Sequence, residues 1–355
     1  MKSIEEAKIE KGTIALVRVD WNLPLGEDKV ILDSERIKTS TKTINYLLEK
    51  GAKVVVLSHF GDGEESLQIV VPEAEKYFPE AKVRFVSDPW NKSSLNGKIA
   101  IEDMRGGEIA LFENLRFWTE KENDLDFAKK LADFGDIFVN EAFSASHRKH
   151  SSIVLIPKFL PSYAGFNFLN EYENLRRALN PEHPFLFILG GVKFDTKIPL
   201  VTKFLDIADS IFIGGAMAKR AYQIREFREK EFEGKIIFPV GEKDALDANT
   251  ETLELLYEKI ADSKFVLWNG PLGNYEKGYI AGTTALARTL LESDKKVIIG
   301  GGDTYTVIKN AGINIDSILK DNKNIFVSTS GGAMLDFLAN GTLPGILALE
   351  NNNEF

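Results

Sequence analysis

Short runs of Val, Ile and Phe recur from one end of the chain to the other, each followed by a segment of helical period. Few folds accommodate that alternation. Strands buried on both faces read as near-continuous apolar runs, and parallel neighbours need a crossover connection, usually a helix. Strands are expected over residues 14–19, 53–58, 82–86, 109–112 and 137–139, then over 185–189, 210–213, 235–239, 265–268, 295–299 and 325–327. The two sets predict an α/β chain with two doubly wound, Rossmann-like parallel-sheet domains. Between them Leu169, Tyr172, Leu175, Arg176 and Leu179 fall at helical spacing before Asn180-Pro181, which predicts a hinge helix. With 355 residues to divide, we expect a first domain over 1–168, the hinge over 169–180, a second domain over 181–335 and a tail over 336–355 packing back on the first. From Gly341 onward there is little periodicity, and Asn351-Asn352-Asn353 reads as a frayed end.

Composition narrows the chemistry. A formal net charge of -9 argues against a nucleic-acid partner, because phosphate backbones are held by surplus Lys and Arg. No apolar run approaches the roughly 20 residues of a membrane span. The sequence has no Cys, which excludes disulfides, thiolate metal sites and a Cys nucleophile, and the charged start Met1-Lys2-Ser3-Ile4-Glu5-Glu6, running into an expected strand, is not expected to act as a secretory signal. A cytoplasmic monomer is the expectation, two large cores accounting for the hydrophobic content.

Ligands of open α/β sheets bind beyond the carboxyl ends of strands, so the residues after each strand carry the functional reading. In the first half these are Asp20, Trp21 and Asn22, then His59, Phe60, Gly61 and Asp62, then Glu113, Asn114 and Arg116, then Asn140, Glu141, His147, Arg148 and His150, with Arg36 shortly after the first loop. Guanidinium groups grip phosphate and carboxylate bidentately, so the cluster suits a small phosphorylated or carboxylated ligand, whose hydroxyl Asp20 and Asn22 can orient. The spacing of His147 and His150 also invites a metal, but Arg148 and Lys149 between them would repel a cation. His183 reads as a loop residue without a role.

In the second half the corresponding loops are rich in glycine: Gly190-Gly191-Val192-Lys193, Gly214-Gly215, Asn269-Gly270-Pro271, Gly300-Gly301-Gly302-Asp303-Thr304 and Ser330-Gly331-Gly332. Glycine lets backbone amides approach phosphates, and a following helix N-terminus adds free N–H groups and a positive dipole end. A nucleotide is expected here, with Lys193 and Lys197 as cations, Asp303 able to hold Mg²⁺ and Glu276 able to bond a ribose hydroxyl. Neither G-x-x-x-x-G-K-[S/T] nor G-x-G-x-x-G occurs, so the reading rests on the set of loops.

Taken in order, these motifs resemble the phosphoglycerate kinase family over nearly the whole chain. Val17-Arg18-Val19-Asp20-Trp21-Asn22-Leu23-Pro24 is similar to its first substrate loop, and Asp33-Ser34-Glu35-Arg36-Ile37 to the segment bearing its catalytic arginine. The resemblance implies that Asp20, Trp21, Asn22, Arg36, His59, Phe60, Gly61, Asp62, Arg116 and Arg148 line the site for 3-phosphoglycerate or 1,3-bisphosphoglycerate. It implies that Lys193, Lys197, Gly270, Glu276, Gly301, Gly302, Asp303 and Thr304 bind ATP or ADP with Mg²⁺, Asp303 nearest the metal, and that Arg36 and Lys197 are catalytic. The implied reaction is reversible in-line phosphoryl transfer after hinge closure.

The chain departs from the family at Phe60-Gly61-Asp62-Gly63, where Leu-Gly-Arg-Pro is usual, so a carboxylate stands for a phosphate-contacting arginine. A charge-assisted bond is worth roughly 1.5–3 kcal/mol, so about tenfold to a hundredfold in acid affinity is at stake unless Arg84, Arg105 or another cation compensates. Two alternatives remain at this stage: a kinase of the same fold for another small phosphorylated acid, and a catalytically impaired nucleotide-binding homologue with a regulatory role. Arg36 and Lys197 together argue against the second, since a binding module has no use for transition-state cations.

Overall fold

The computed structural model describes residues 1–90, 97–192, 194–229, 232 and 234–352. The chain divides into two compact units, Met1–Tyr172 with Thr342–Phe355, and Glu173–Gly341. The expected strands are all present to within a residue or two at their ends.

In the first unit the strands are β1 (Ile14–Arg18), β2 (Lys53–Leu57), β3 (Val83–Val86), β4 (Ile109–Phe112), β5 (Ile137–Asn140) and β6 (Ser162–Ala164). They form one sheet in the order β3-β4-β2-β1-β5-β6, every pair parallel. β6 was not expected; three residues of Ser-Tyr-Ala at a sheet edge are too short to show a period. Along β1 and β2 successive residues enter opposite cores: Ala15, Val17, Val54 and Val56 in one, Leu16, Val55 and Leu57 in the other. Fully burying each Val or Leu side chain is worth roughly 1.5–3 kcal/mol, which fixes the register, since a one-residue slip would exchange the two faces.

The second unit holds β7 (Phe185–Leu189), β8 (Ser210–Ile213), β9 (Ile236–Ile237), β10 (Phe265–Asn269), β11 (Lys296–Gly300) and β12 (Ile325–Val327), again all parallel, in the order β12-β11-β10-β7-β8-β9. Leu186, Ile188, Val266, Trp268, Val297 and Ile299 make one core face, and Phe185 and Phe187 pack on Phe204 on the other.

The strand orders reverse direction between β1 and β5 in the first unit and between β7 and β10 in the second. Those are the topological switch points, where a crevice opens beyond the strand ends.

The expected linking helix is present as Phe166–Arg177 and contains the boundary between the units. Its first turn is held by Glu141, whose carboxylate accepts Thr43 Oγ1 (2.7 Å) and the backbone amides of Asn167 (3.1 Å) and Phe168 (3.2 Å). Burial pushes that carboxyl up to about 8 despite these donors.

The tail differs from expectation. Pro344–Glu350 is a helix opened by its proline, with Ile346 and Leu349 buried. Asn352, expected to fray, is buried: its side chain accepts the Ser162 amide at 3.0 Å and donates to the Leu160 carbonyl at 3.0 Å and to the Pro157 carbonyl. Two helical turns are too few to display a period, and a capping amide leaves no hydrophobic signal. His183 is not idle either, because its Nδ1 lies 2.6 Å from Asp209 Oδ2, which also accepts the Phe185 amide at the start of β7.

Candidate active site

At the first switch point the loop after β1 meets the loop after β5. Asp20 Oδ2 accepts a bond from Arg36 Nη1 at 2.8 Å and another from the Ser144 hydroxyl, which stitches the two loops together. Burial pushes the Asp20 carboxyl up, but Arg36 above all, with the Ser144 bond, pulls it down to about 2. Asp20 Oδ1 has no hydrogen-bond partner and lies 3.8 Å from His59 Nε2.

The His59 ring is oriented from behind by Arg18, whose Nη2 lies 3.2 Å from Nδ1. Arginine has only donors, so Nδ1 accepts and the neutral ring carries its proton on Nε2, toward Asp20. Burial keeps His59 well below the usual imidazole value, with Arg18, Arg116 and Arg148 adding to the depression and Asp20 opposing it. His150 is held down to about 3, by burial first and then by Arg18 and Arg148. Both histidines are therefore neutral at pH 7, and the positive field of the site is arginine's.

Arg18 is fully buried. It donates from Nε to Ser152 Oγ (2.7 Å), from Nη1 to the Val19 carbonyl, and from Nη2 to Glu120 Oε1 (3.4 Å). Glu120, also fully buried, accepts the Ser152 amide at 3.0 Å and the Ser152 hydroxyl. Arg18 lies in the motif similar to the family's first substrate loop but had no role assigned to it, and Glu120 was not expected at the site.

Around this core the loop carrying His59 is fastened at both ends. The Gly61 amide donates to Asn22 Oδ1 at 2.8 Å, and its carbonyl accepts Arg116 Nη1. Asn114 clamps Phe60 through its amide (3.0 Å) and carbonyl (2.7 Å). The Trp21 and Phe60 side chains are buried in the core, so these two shape the loops and do not face a ligand. Arg148 is exposed, with Nε 3.3 Å from His147 Nε2.

Asp62 is 98% exposed, 3.5 Å from Arg116 Nη1. With its carboxylate so open to water the pair is weak, although the Arg116 side chain is buried. Of the cations expected to compensate for it, Arg84 is engaged with Glu108 (2.9 Å) and the Asp103 carbonyl, and Arg105 is exposed.

At the second switch point Lys197, buried on the helix Phe194–Phe204, donates from Nζ to the Gly190 carbonyl at 2.7 Å. Gly270, at the end of β10, adopts φ +95°, and a Cβ there would lie 2.3 Å from the Gly190 oxygen and 2.8 Å from Lys197 Nζ. Only glycine lets the lysine reach the mouth of the crevice between β7 and β10. The Gly270 amide donates to Thr304 Oγ1 at 3.0 Å, which ties this loop to the helix Gly302–Asn310. Gly301 caps that helix with φ +103°, and a Cβ on Gly302 would meet nothing within 4 Å, so the first turn is open to a ligand. Asp303 is exposed in that turn and accepts the Tyr275 hydroxyl at 3.0 Å. Burial, then Asp303, push that phenol up to about 12. Glu276 is exposed nearby in sequence, and Lys193 lies outside the described residues.

The histidine shifts give a stability prediction whose sign can be fixed. An unfolded imidazole titrates near 6.5 and folded His150 near 3, so below about 6.5 the unfolded chain binds the extra proton and stability falls with pH. Glu141 acts oppositely between about 4.5 and 8, so the comparison must isolate the histidine. We expect His150→Asn to cost less stability at pH 5 than at pH 7 in urea unfolding; equal costs at the two pH values would contradict the assignment.

Comparison with known proteins bears on the family and the fold. The family model described as phosphoglycerate kinase matches residues 4–233 and 225–341. A phosphoglycerate kinase of Clostridium kluyveri is 35% identical over 402 residues, covering 99% of this chain and 98% of the relative. One from Herpetosiphon aurantiacus is 34% identical over 391 residues, covering 96% and 97%. Among solved structures, phosphoglycerate kinase from Pyrococcus horikoshii superposes with a TM-score of 0.85 at 25% identity over 100% of both chains, and that from Coxiella burnetii with 0.80 at 28% over 98% of both.

Proposed function

The chain belongs to the phosphoglycerate kinase family, and from that premise we propose how its own residues carry out the family's reaction. It is a phosphotransferase that moves a phosphoryl group reversibly between 1,3-bisphosphoglycerate and ADP, giving 3-phosphoglycerate and ATP. The observation that carries the residue assignment is the pair of switch points: one bounded by Asp20, Arg36, His59 and Ser144, the other by Gly190, Lys197, Gly270 and Thr304.

In this reading the first unit takes the phosphoglycerate. Asp20 and Asn22 orient its hydroxyl, while Arg36, Arg116 and Arg148 hold its anionic groups, with neutral His59 donating from Nε2. Gly61 and Asp62 approach the ligand through the loop backbone that Asn22 and Arg116 fix. The second unit takes the nucleotide, its phosphates over Gly270, Gly301, Gly302 and Thr304 and its ribose toward Glu276, with Lys193 and Lys197 as cations. Mg²⁺ would neutralise phosphate charge when bound. Among the described residues no group of three or more His, Cys, Asp or Glu is placed to hold a metal, so Asp303 would supply one oxygen and the nucleotide and water the rest.

The transferring group spreads its charge over three oxygens, so alignment and electrostatic stabilisation supply most of the catalysis. Arg36 and Lys197 serve that group. Since the two ligands belong to different units, they must be brought together with water excluded before transfer. What supports a monomer in a reducing cytoplasm is the absence of Cys and a separate core in each unit. Among the described residues no single helix is long and apolar enough to cross a membrane.

Asp62 gives the experiment. Asp62→Arg adds a cation beside Arg116 and removes a carboxylate that competes for it, so the KM for 3-phosphoglycerate should fall about tenfold or more while the KM for ATP stays constant. An unchanged or raised KM for 3-phosphoglycerate would show that this loop does not touch the acid.

A further inference from the structure

A cavity of about 610 Å³ opens in the first unit between the helix Ser151–Val154 with its following turn and the C-terminal helix Pro344–Glu350. None of its lining residues is among those assigned above. Its apolar wall includes Val154, Leu155, Pro344 and Leu347, and Lys149 and Lys158 also line it. Leu347 is 45% exposed, on a helix whose Ile346 and Leu349 are buried, so it faces the cavity and not the core. Among the described residues no carboxylate lines the space, and neither lysine ammonium makes an ion pair or hydrogen bond. Two lysines without a partner among the described residues, beside an apolar wall and in a volume within the roughly 300–1,000 Å³ of small-molecule sites, define a chemistry.

We propose that this cavity is a second ligand site, taking a small organic anion with an apolar body, such as a medium-chain carboxylate. The anionic head meets Lys149 and Lys158, and the chain covers Val154, Leu155 and Leu347, removing them from water. The site assigned to 3-phosphoglycerate differs in chemistry, since Arg36 and Arg116 there are engaged with Asp20 and the Gly61 carbonyl.

Octanoate is the probe, titrated by calorimetry into the full-length protein and two variants. The expected result is saturable one-to-one binding that is unaffected by saturating 3-phosphoglycerate. It should weaken about tenfold or more in Lys149→Ala/Lys158→Ala and in Leu347→Glu. The rate of phosphoryl transfer by Leu347→Glu should match that of the unaltered protein, which excludes misfolding as the cause. Absence of saturable binding, binding that survives both variants, or displacement by 3-phosphoglycerate would each overturn the proposal.

Discussion

Lys197→Ala should lower kcat for ATP formation by about a hundredfold to a thousandfold while changing the KM for 1,3-bisphosphoglycerate little. The reason is where the ammonium sits: buried, donating to the Gly190 carbonyl at the crevice between β7 and β10, beside a glycine that no other residue could replace. A donor already fixed in a low-dielectric site contributes most where charge develops, and removing one such group typically costs about that factor. Steady-state kinetics with both substrates separates the outcomes. A raised KM for ADP at constant kcat would make Lys197 a ground-state contact only, and the role assigned to it would fall.

The second large effect concerns stability. Glu120→Gln keeps the shape of the side chain but leaves the buried Arg18 guanidinium without its counter-charge, and breaking a buried pair in this way costs about 3–5 kcal/mol. Denaturant unfolding measures it. Burial acts against both charges here, pushing Glu120 up and Arg18 down. A cost under about 1 kcal/mol would therefore mean that the carboxyl is already protonated in the fold. A cost in the larger range would establish that Glu120 and Arg18 are both charged in the fold.

The balance between what could and could not be read in advance follows from how local each signal is. β1, β2, β7 and β10 announce themselves because strands buried on both faces leave unbroken apolar runs, and the loops after them were legible because Arg, His and Gly depart from the core composition. Asp20, Arg36, His59 and Lys197 were reached by that route. The network of Arg18, Glu120 and Ser152 was not, because its contacts join positions 32 to 134 residues apart. Ser144 sits in the right loop, but its bond to Asp20 depends on β5 lying beside β1, which only the sheet order reveals. The helix Pro344–Glu350 was hidden by its length. Asp62 was legible as a departure from the family pattern, whereas its exposure and its weak pairing with Arg116 belong to the folded loop.

The central claim is that one unit presents the phosphoglycerate and the other the nucleotide for direct transfer. Its most direct test is ATP formation from ADP and 1,3-bisphosphoglycerate with Mg²⁺ present, run on the unaltered protein beside Arg36→Ala and Lys197→Ala. The account predicts ATP production that depends on both substrates and falls about a hundredfold or more in each variant. Background activity in the unaltered protein, with nucleotide binding confirmed separately, would contradict it.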